Sequence, residues 1–296
     1  MSRIYRAMRS GEITVNGRRV QGDTRVYEGD AIELAESLHG RPTAVRKSDS
    51  GTGVKGDGSS LAGRIVHEDD DLLVVNKRRG ELTHGPGSLD AAVHAYLAGR
   101  PTNGVSFRPG PTHRLDRNTS GLLVFSLSLR GAQAAAAAFR DGTMLKRYVA
   151  LFEGVLAADA WDDLLSRDRA HRVTRQAGGA ASDPGMRALS RVEPIAINAT
   201  HTLGLVRIAT GRTHQIRAQA AIHGHPLAGD RKYGSTESGS YLLHAASLTV
   251  AHPREGIGFS HLYARIPEEF RLRVREDFGP HALQRLDTII RCCHEP

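Results

Sequence analysis

Apolar positions along this chain come in short blocks separated by turn residues. Ile65-Val66 and Leu72-Leu73-Val74-Val75 flank the acidic segment Glu68-Asp69-Asp70-Asp71 and read as two strands joined by a solvated turn. Leu122-Leu123-Val124-Phe125 reads as a strand, entered through the turn chemistry of Thr119-Ser120-Gly121. Residues 146–152 and 203–209 are further β-rich runs. Between them, residues 132–140 form an alanine-rich helix stopped by Asp141-Gly142. Residues 213–223 predict another helix, with Thr213 as N-cap and Gly224 past its end. Residues 157–190 are polar and rich in Gly and Ala, which predicts loops with short strands. Hairpins and helices interleave without a regular βαβ period, so the fold class expected is α+β rather than doubly wound.

The N-terminal residues 1–36 form a pattern of their own. Residues 4–10 suit a short helix stopped by Gly11, Ile13-Thr14-Val15 a strand, Asn16-Gly17 a tight hairpin turn and Arg18-Arg19-Val20 the return. Gly29-Asp30 makes a second turn before Ala31-Ile32-Glu33-Leu34. Residues 37–62, rich in Gly, Ser, Asp and Lys, predict a flexible linker. Its spaced glycines lack the preceding strand and the following Lys-Ser/Thr of a phosphate loop. Residues 63–280 then form the main domain and 281–296 a C-terminal tail.

Charge adds to this picture. The formal net charge of +8 over 296 residues suits a polyanionic partner, since neutralising phosphates releases counterions. Aromatic residues are 5% of the chain, too few for a broad base-stacking platform. No apolar run approaches the roughly 18 residues that span a bilayer, and the Arg-rich start has no apolar core of a secretory signal. The two cysteines, Cys292 and Cys293, are adjacent and form no CxxC pair, which points to a reducing, cytoplasmic setting. Among 15 histidines the nearest thing to a ligand pair is His223 and His225, across a helix-ending glycine and without a carboxylate at ligand spacing. No metal, cofactor or membrane is expected.

Three segments carry candidate chemistry. In His113-Arg114-Leu115-Asp116-Arg117-Asn118-Thr119-Ser120-Gly121 one carboxylate stands between two guanidinium groups, which favour its ionised form; the spacing alone fits a nucleophile or base, or a surface Asp in a connecting loop. In Thr210-Gly211-Arg212-Thr213-His214-Gln215-Ile216-Arg217 the last Arg falls near the positive end of a helix, where it does not complement the dipole and so either pairs outside the helix or faces solvent. In Lys146-Arg147-Tyr148 a strand tyrosine suits packing with a wet hydroxyl.

The first segment resembles the HRLDxxTSG signature of RluA-type pseudouridine synthases at every fixed position. The second resembles that family's TGRTHQIR, the third its K-x-Y segment. His225 to Gly234 resembles HPLxGDxxYG, and Leu242-Leu243-His244-Ala245 resembles LLHA. Residues 1–36 resemble a ribosomal-protein-S-four-type RNA-binding module, short at its N-terminus. Two departures stand out: Asn76-Lys77-Arg78-Arg79-Gly80 lacks the proline of NKPxG, and Gln219 stands where a His is common.

The resemblance implies a mixed, largely antiparallel catalytic domain and an isomerase that converts uridine in RNA to pseudouridine without a cofactor. It implies Asp116 as nucleophile, Arg217 as its ion-pair partner and Tyr148 stacked on the target ring with a hydroxyl able to move a proton. The target base is flipped from its stack. Arg114 would fill the vacated space or hold a phosphate, and Leu243 would pack beneath the uracil. His113, Thr119 and His214 would complete the substrate contacts, with His113 and His244 fixing local geometry through hydrogen bonds. The N-terminal module points to large-subunit ribosomal RNA over tRNA as substrate, for a protein working as a monomer. The rival readings are a non-catalytic RNA-binding or assembly factor on the same fold, a tRNA-directed synthase, and a carboxylate glycosidase. The last needs a second acid where only Asp116 sits in a motif.

Overall fold

The computed structural model describes residues 3–21, 24–35, 59–100, 107–168, 171, 173–178 and 183–292. Most of the expected linker, and Cys293, therefore lie outside the described residues. The chain divides into two compact units, Met1–Thr52 with Pro101–Phe107, and Gly53–Arg100 with Arg108–Pro296.

In the first unit, helix α1 (Arg3–Ser10) precedes an antiparallel sheet of β1 (Ile13–Val15), β2 (Arg18–Arg19) and β3 (Ile32–Leu34) in the order β2-β1-β3. Asn16 and Gly17 both take positive φ (51° and 72°), the primed turn that matches the twist of a two-residue hairpin. The Asn16 amide bonds Asp30 and the Ala31 N–H, which ties this turn to the second one. Arg18 and Arg19 are exposed on the hairpin.

The second unit is built on one large sheet. Its elements are α2 (Ser59–Ala62), β4 (Ile65–Glu68), β5 (Leu72–Lys77), α3 (Leu89–Tyr96), β6 (Gly110–Pro111), β7 (Ser120–Ser126), α4 (Leu129–Arg140) and β8 (Met144–Glu153). There follow β9 (Asp159–Asp168), β10 (Val173–Gln176), β11 (Met186–Ile197), β12 (His201–Ile208), α5 (Gln215–Ile222), β13 (Leu243–Val250), β14 (His261–Tyr263) and α6 (Glu268–Arg291). The strand order is β10-β9-β11-β12-β8-β13-β7-β5-β4, with β14 on β13 and β6 on β7. Every described pairing is antiparallel except β13 with β7. This is the α+β architecture the sequence predicts.

The uninterrupted apolar runs follow from burial on both faces. Leu73, Val75, Leu123, Phe125, Ala150 and Phe152 face one side, with α3 (Leu89, Val93) and α5 (Ile216, Ala220). Their strand neighbours Leu72, Val74, Leu122 and Val124 face the other side against Ala134, Ala135 and Ala138 of α4. On that second side Val149, Leu151, Leu203 and Leu205 pack under Phe270, Val274, Leu283 and Leu286 of α6.

Three expectations are corrected here. Residues 157–190 contain long strands, not loops with short ones, because β9 alternates strictly: Trp161, Asp163 and Leu165 turn inward and Ala160, Asp162 and Leu164 outward. The turn at Asp69-Asp70-Asp71 is not wholly solvated, since Asp71 is buried and ion-paired to Arg130 at 2.6 Å. Residues 281–291 of the expected tail are helix. They continue α6 beyond a kink at Gly279 (φ 80°, ψ 175°) and Pro280, and Leu283, Leu286 and Ile290 join the core.

Candidate active site

The segment entering β7 is placed by one glycine. Gly121 has φ +112°, and a Cβ there would lie 2.2 Å from the Ala245 carbonyl oxygen. Only a residue without a side chain lets β7 and β13 pair this closely, Ser120 beside His244 and Gly121 beside Ala245. His244 is fully buried. Its Nε2–H faces the Ala264 carbonyl at 3.4 Å, so its Nδ1 accepts from the Ser120 hydroxyl at 2.9 Å. Burial pushes this imidazole down to about 4.

Upstream, the loop carrying Asp116 is held by its backbone. His113 Nε2 accepts the Val124 N–H at 3.1 Å, and burial, aided by the Lys146 charge, lowers this imidazole to about 3. Thr83 Oγ1 donates to the Leu115 carbonyl at 3.1 Å. Lys77, 1% exposed, donates to the carbonyls of Arg117 (3.0 Å) and Arg78 (2.9 Å), and burial lowers its ammonium to about 8. The departure from NKPxG also has a structural account. Arg78 stands in place of the proline, and its N–H bonds Glu81 at 3.2 Å, which a proline cannot do. Gly80 and Arg117 exchange bonds in both directions, Gly80 N–H to the Arg117 carbonyl (2.8 Å) and Arg117 Nε to the Gly80 carbonyl (3.0 Å).

Asp116 emerges at a cavity of about 590 Å³ whose rim carries Arg114, Arg140, Lys146 and Arg212. Among the described lining residues it is the single carboxylate. A narrower recess of about 60 Å³ brings Asp116 together with Thr119, Tyr148, His214, Arg217 and Leu243. Of the expected site residues, His113 and exposed Arg114 line the outer cavity, Arg114 the recess as well. The nitrogen groups brought to the carboxylate are not its sequence neighbours. Arg217 Nη1 lies 3.4 Å from Asp116 Oδ2, and His214 Nε2 lies 3.8 Å from Oδ1.

Arg217 has a stronger partner that sequence reasoning missed. Its Nε and Nη2 fork onto Asp230 at 2.7 and 2.8 Å, and Asp230 is 2% exposed. The guanidinium lies between the rings of Tyr233 (4.7 Å) and Tyr241 (4.4 Å). Burial opposes its charge, but Asp230, Tyr241 and Asp116 together hold it more basic than an ordinary arginine. Burial pushes the Tyr241 phenol up to about 12. Asp230 sits in the His225–Gly234 string that the sequence singles out, but nothing in that string says which side chain it meets.

Tyr148 is 7% exposed, and burial, then the charge of Asp116, raises its phenol above the usual range, so it keeps its proton at neutral pH. The expected N-cap of α5 is displaced by one. His214, not Thr213, occupies it, with a left-handed φ of 54° and no side-chain cap bond. Gln219 is fully buried and bonds Asp163, the Ala188 carbonyl and Ser190, so it braces β9 and β11. The two histidines of the candidate metal pair diverge: His223 stacks on Trp161 and meets Asp163, while His225 faces the Glu153 carbonyl.

Comparison with known proteins gives a consistent picture. Residues 71–221 match the model of the RNA pseudouridylate synthase family. The chain is 31% identical over 267 residues to ribosomal large subunit pseudouridine synthase C of Vibrio vulnificus (strain CMCP6), covering 85% of this chain and 80% of that protein. It is 32% identical over 279 residues to the protein of the same name from Escherichia coli (strain K12), covering 86% and 82%. The fold is similar to that of human RNA pseudouridylate synthase domain containing 1, with a TM-score of 0.61 at 23% identity, covering 82% of this chain and 99% of that one. Among the described residues no helix is long and apolar enough to cross a membrane. The chain belongs to the RNA pseudouridylate synthase family and is an isomerase that converts uridine in RNA to pseudouridine.

Proposed function

We propose that Asp116 is the nucleophile of this isomerase, that Arg217 orients it, and that the substrate is large-subunit ribosomal RNA acted on in the cytoplasm. The observation that carries the reading is the lone carboxylate in a cavity rimmed by four cations. A rim of that sign suits a phosphodiester backbone, and a single acid inside it suits nucleophilic attack rather than the paired acids of a glycosidase. The reaction breaks the bond from the ribose carbon to N1 of uracil and forms one from the same carbon to C5. C5 loses its hydrogen and N1 ends protonated, so no oxidant or phosphate donor enters. Tyr148 is set to stack on the ring and, being protonated, to take part in that proton movement. Leu243, 6% exposed in the same recess, would lie beneath the uracil.

A base in folded RNA reaches this recess only if flipped out, and exposed Arg114 is placed to fill the gap or hold the phosphate. The ribosomal assignment rests on the names of the relatives. Residues 1–36, with Arg18 and Arg19 exposed on their hairpin, would serve capture rather than chemistry. Mapping pseudouridine in total RNA from cells with and without this gene tests the assignment. A position lost from 23S-type RNA supports it, and a position lost from tRNA replaces the substrate.

A further inference from the structure

Asp116 presents each of its oxygens to a different neighbour, and the neighbour of Oδ1 is part of a chain of hydrogen bonds that Arg217 does not share. The chain starts at a backbone N–H. Thr174 N lies 2.8 Å from the Tyr233 hydroxyl oxygen, and a backbone N–H can only donate. The hydroxyl therefore accepts from Thr174, and its own proton is available for His214 Nδ1, 2.8 Å away. An imidazole nitrogen that accepts carries no proton, which leaves the proton of the neutral ring on Nε2. That nitrogen points at Asp116 Oδ1 from 3.8 Å.

Two features make the arrangement a built one. His214 holds a left-handed backbone (φ 54°) at the N-cap of α5, a conformation uncommon outside glycine, and it makes no capping bond in return. Tyr233 also serves the other side of the carboxylate, since its ring is the one on which Arg217 stacks. One tyrosine thus orders both neighbours of Asp116, by its ring on one side and its hydroxyl on the other.

We infer that His214 is a positioning residue: a neutral Nε2–H donor, its tautomer fixed by Tyr233, that aligns Oδ1 of Asp116. A neutral donor orients the carboxylate without adding a second positive charge, so the nucleophile keeps its electron density. The 3.8 Å separation is longer than a hydrogen bond and leaves Oδ1 room to turn towards the substrate, in the loose manner of unliganded sites. This inference rests on Asp116 being the nucleophile.

The test uses side chains that separate backbone from donor. His214→Asn tolerates the left-handed backbone, but its amide reaches only the place of Nδ1. His214→Gln fits that backbone less well, but its amide NH₂ reaches the place of Nε2. A purely structural role makes Asn the better replacement, whereas a donor role makes Gln the better one. The expected result is a kcat about 10-fold below the unaltered protein for Gln and about 100-fold below for Asn, with KM within about 2-fold in both. Tyr233→Phe keeps the ring under Arg217 and is expected to lower kcat about 10-fold.

Nitrogen-15 NMR of the imidazoles, with the His214 signal assigned by its loss in His214→Gln, should show the proton on Nε2 in the unaltered protein and a tautomer mixture in Tyr233→Phe. A proton on Nδ1 in the unaltered protein, or Asn matching or exceeding Gln in kcat, overturns the inference. If the unaltered protein makes no pseudouridine in any RNA, or Asp116→Asn is active, the functional reading fails instead. The NMR result then still decides whether the hydrogen-bond chain exists.

Discussion

The two carboxylates on either side of Arg217 are held in opposite ways. Asp230, in a floor beneath the site and lining neither cavity, is 2% exposed and takes a two-pronged grip at 2.7 and 2.8 Å. Asp116, at the mouth, meets the same guanidinium through one nitrogen at 3.4 Å, with its side chain 17% exposed. A carboxylate gripped on both oxygens by a buried fork is fixed in orientation and shielded, and one that attacks must keep an oxygen uncommitted. The floor therefore fixes a cation in place, and the mouth borrows part of its field. The backbone around Asp116 is rigidly pinned, through Lys77, Thr83 and Gly80, while its side chain is left loose. Rigidity is placed in the residues on either side of Asp116.

Breaking the mouth should cost activity alone. Asp116→Asn is expected to lower kcat by about 10⁴-fold or more while the free energy of unfolding moves by less than about 1 kcal/mol. A large loss of stability in denaturant titration would place Asp116 with the floor. Breaking the floor should cost both. Asp230→Ala strands a buried guanidinium, and removing one member of such a pair typically destabilises by about 3–5 kcal/mol. Urea unfolding reads this directly, and an unchanged midpoint would show that the fork is ornamental.

Protonation sharpens the contrast further. His244 belongs with the floor, fully buried and lowered to about 4 against an ordinary 6.5. Its folded form binds its proton later than the unfolded form as pH falls. The stability linked to it is thus complete above about pH 6.5 and is lost between about 6.5 and 4, by up to about 1.4 kcal/mol per pH unit. His244→Gln should flatten the unfolding free energy against pH in that window, and an unaltered slope would remove His244 as its cause. Deleting residues 1–52 removes no residue of the mouth or the floor. It is expected to weaken RNA binding and flatten its log–log salt dependence by about 0.7–0.9 for each phosphate no longer neutralised, with turnover at saturating RNA unchanged. Equal salt slopes for both proteins would mean that this unit is no RNA anchor.

Much of this was legible in the sequence, and what was not has identifiable causes. The double-sided apolar runs of β5, β7 and β8 announce buried strands because every position faces a core. By contrast β9 and β11 hide, because their inward positions include Asp163 and Ser190, which offset their burial by bonding Gln219 and so look like loop residues in one dimension. The recess residues Asp116, Tyr148, Arg217 and Leu243 could be named in advance from motifs. The distribution of bonds among them could not. That Arg217 prefers Asp230, and that Arg117 turns to the Gly80 carbonyl, depends on how α5, β7 and the turn after α5 meet in space. The N-cap shift from Thr213 to His214 has the same origin, since Thr174 Oγ1 bonds the Thr213 carbonyl from β10.

The parallel contact of β7 with β13, made possible by Gly121, also sets when the recess can be assembled. It joins positions that leave the ribosome far apart in time. Asp116 is synthesised well before Arg217, Asp230, Tyr241 and Leu243, and at roughly 5–20 residues per second the interval is on the order of ten seconds. During that interval the nascent chain carries Asp116 with neither guanidinium nor floor. The recess around Asp116 is therefore complete only when β13 is laid down, because completing the sheet and completing the recess are the same event.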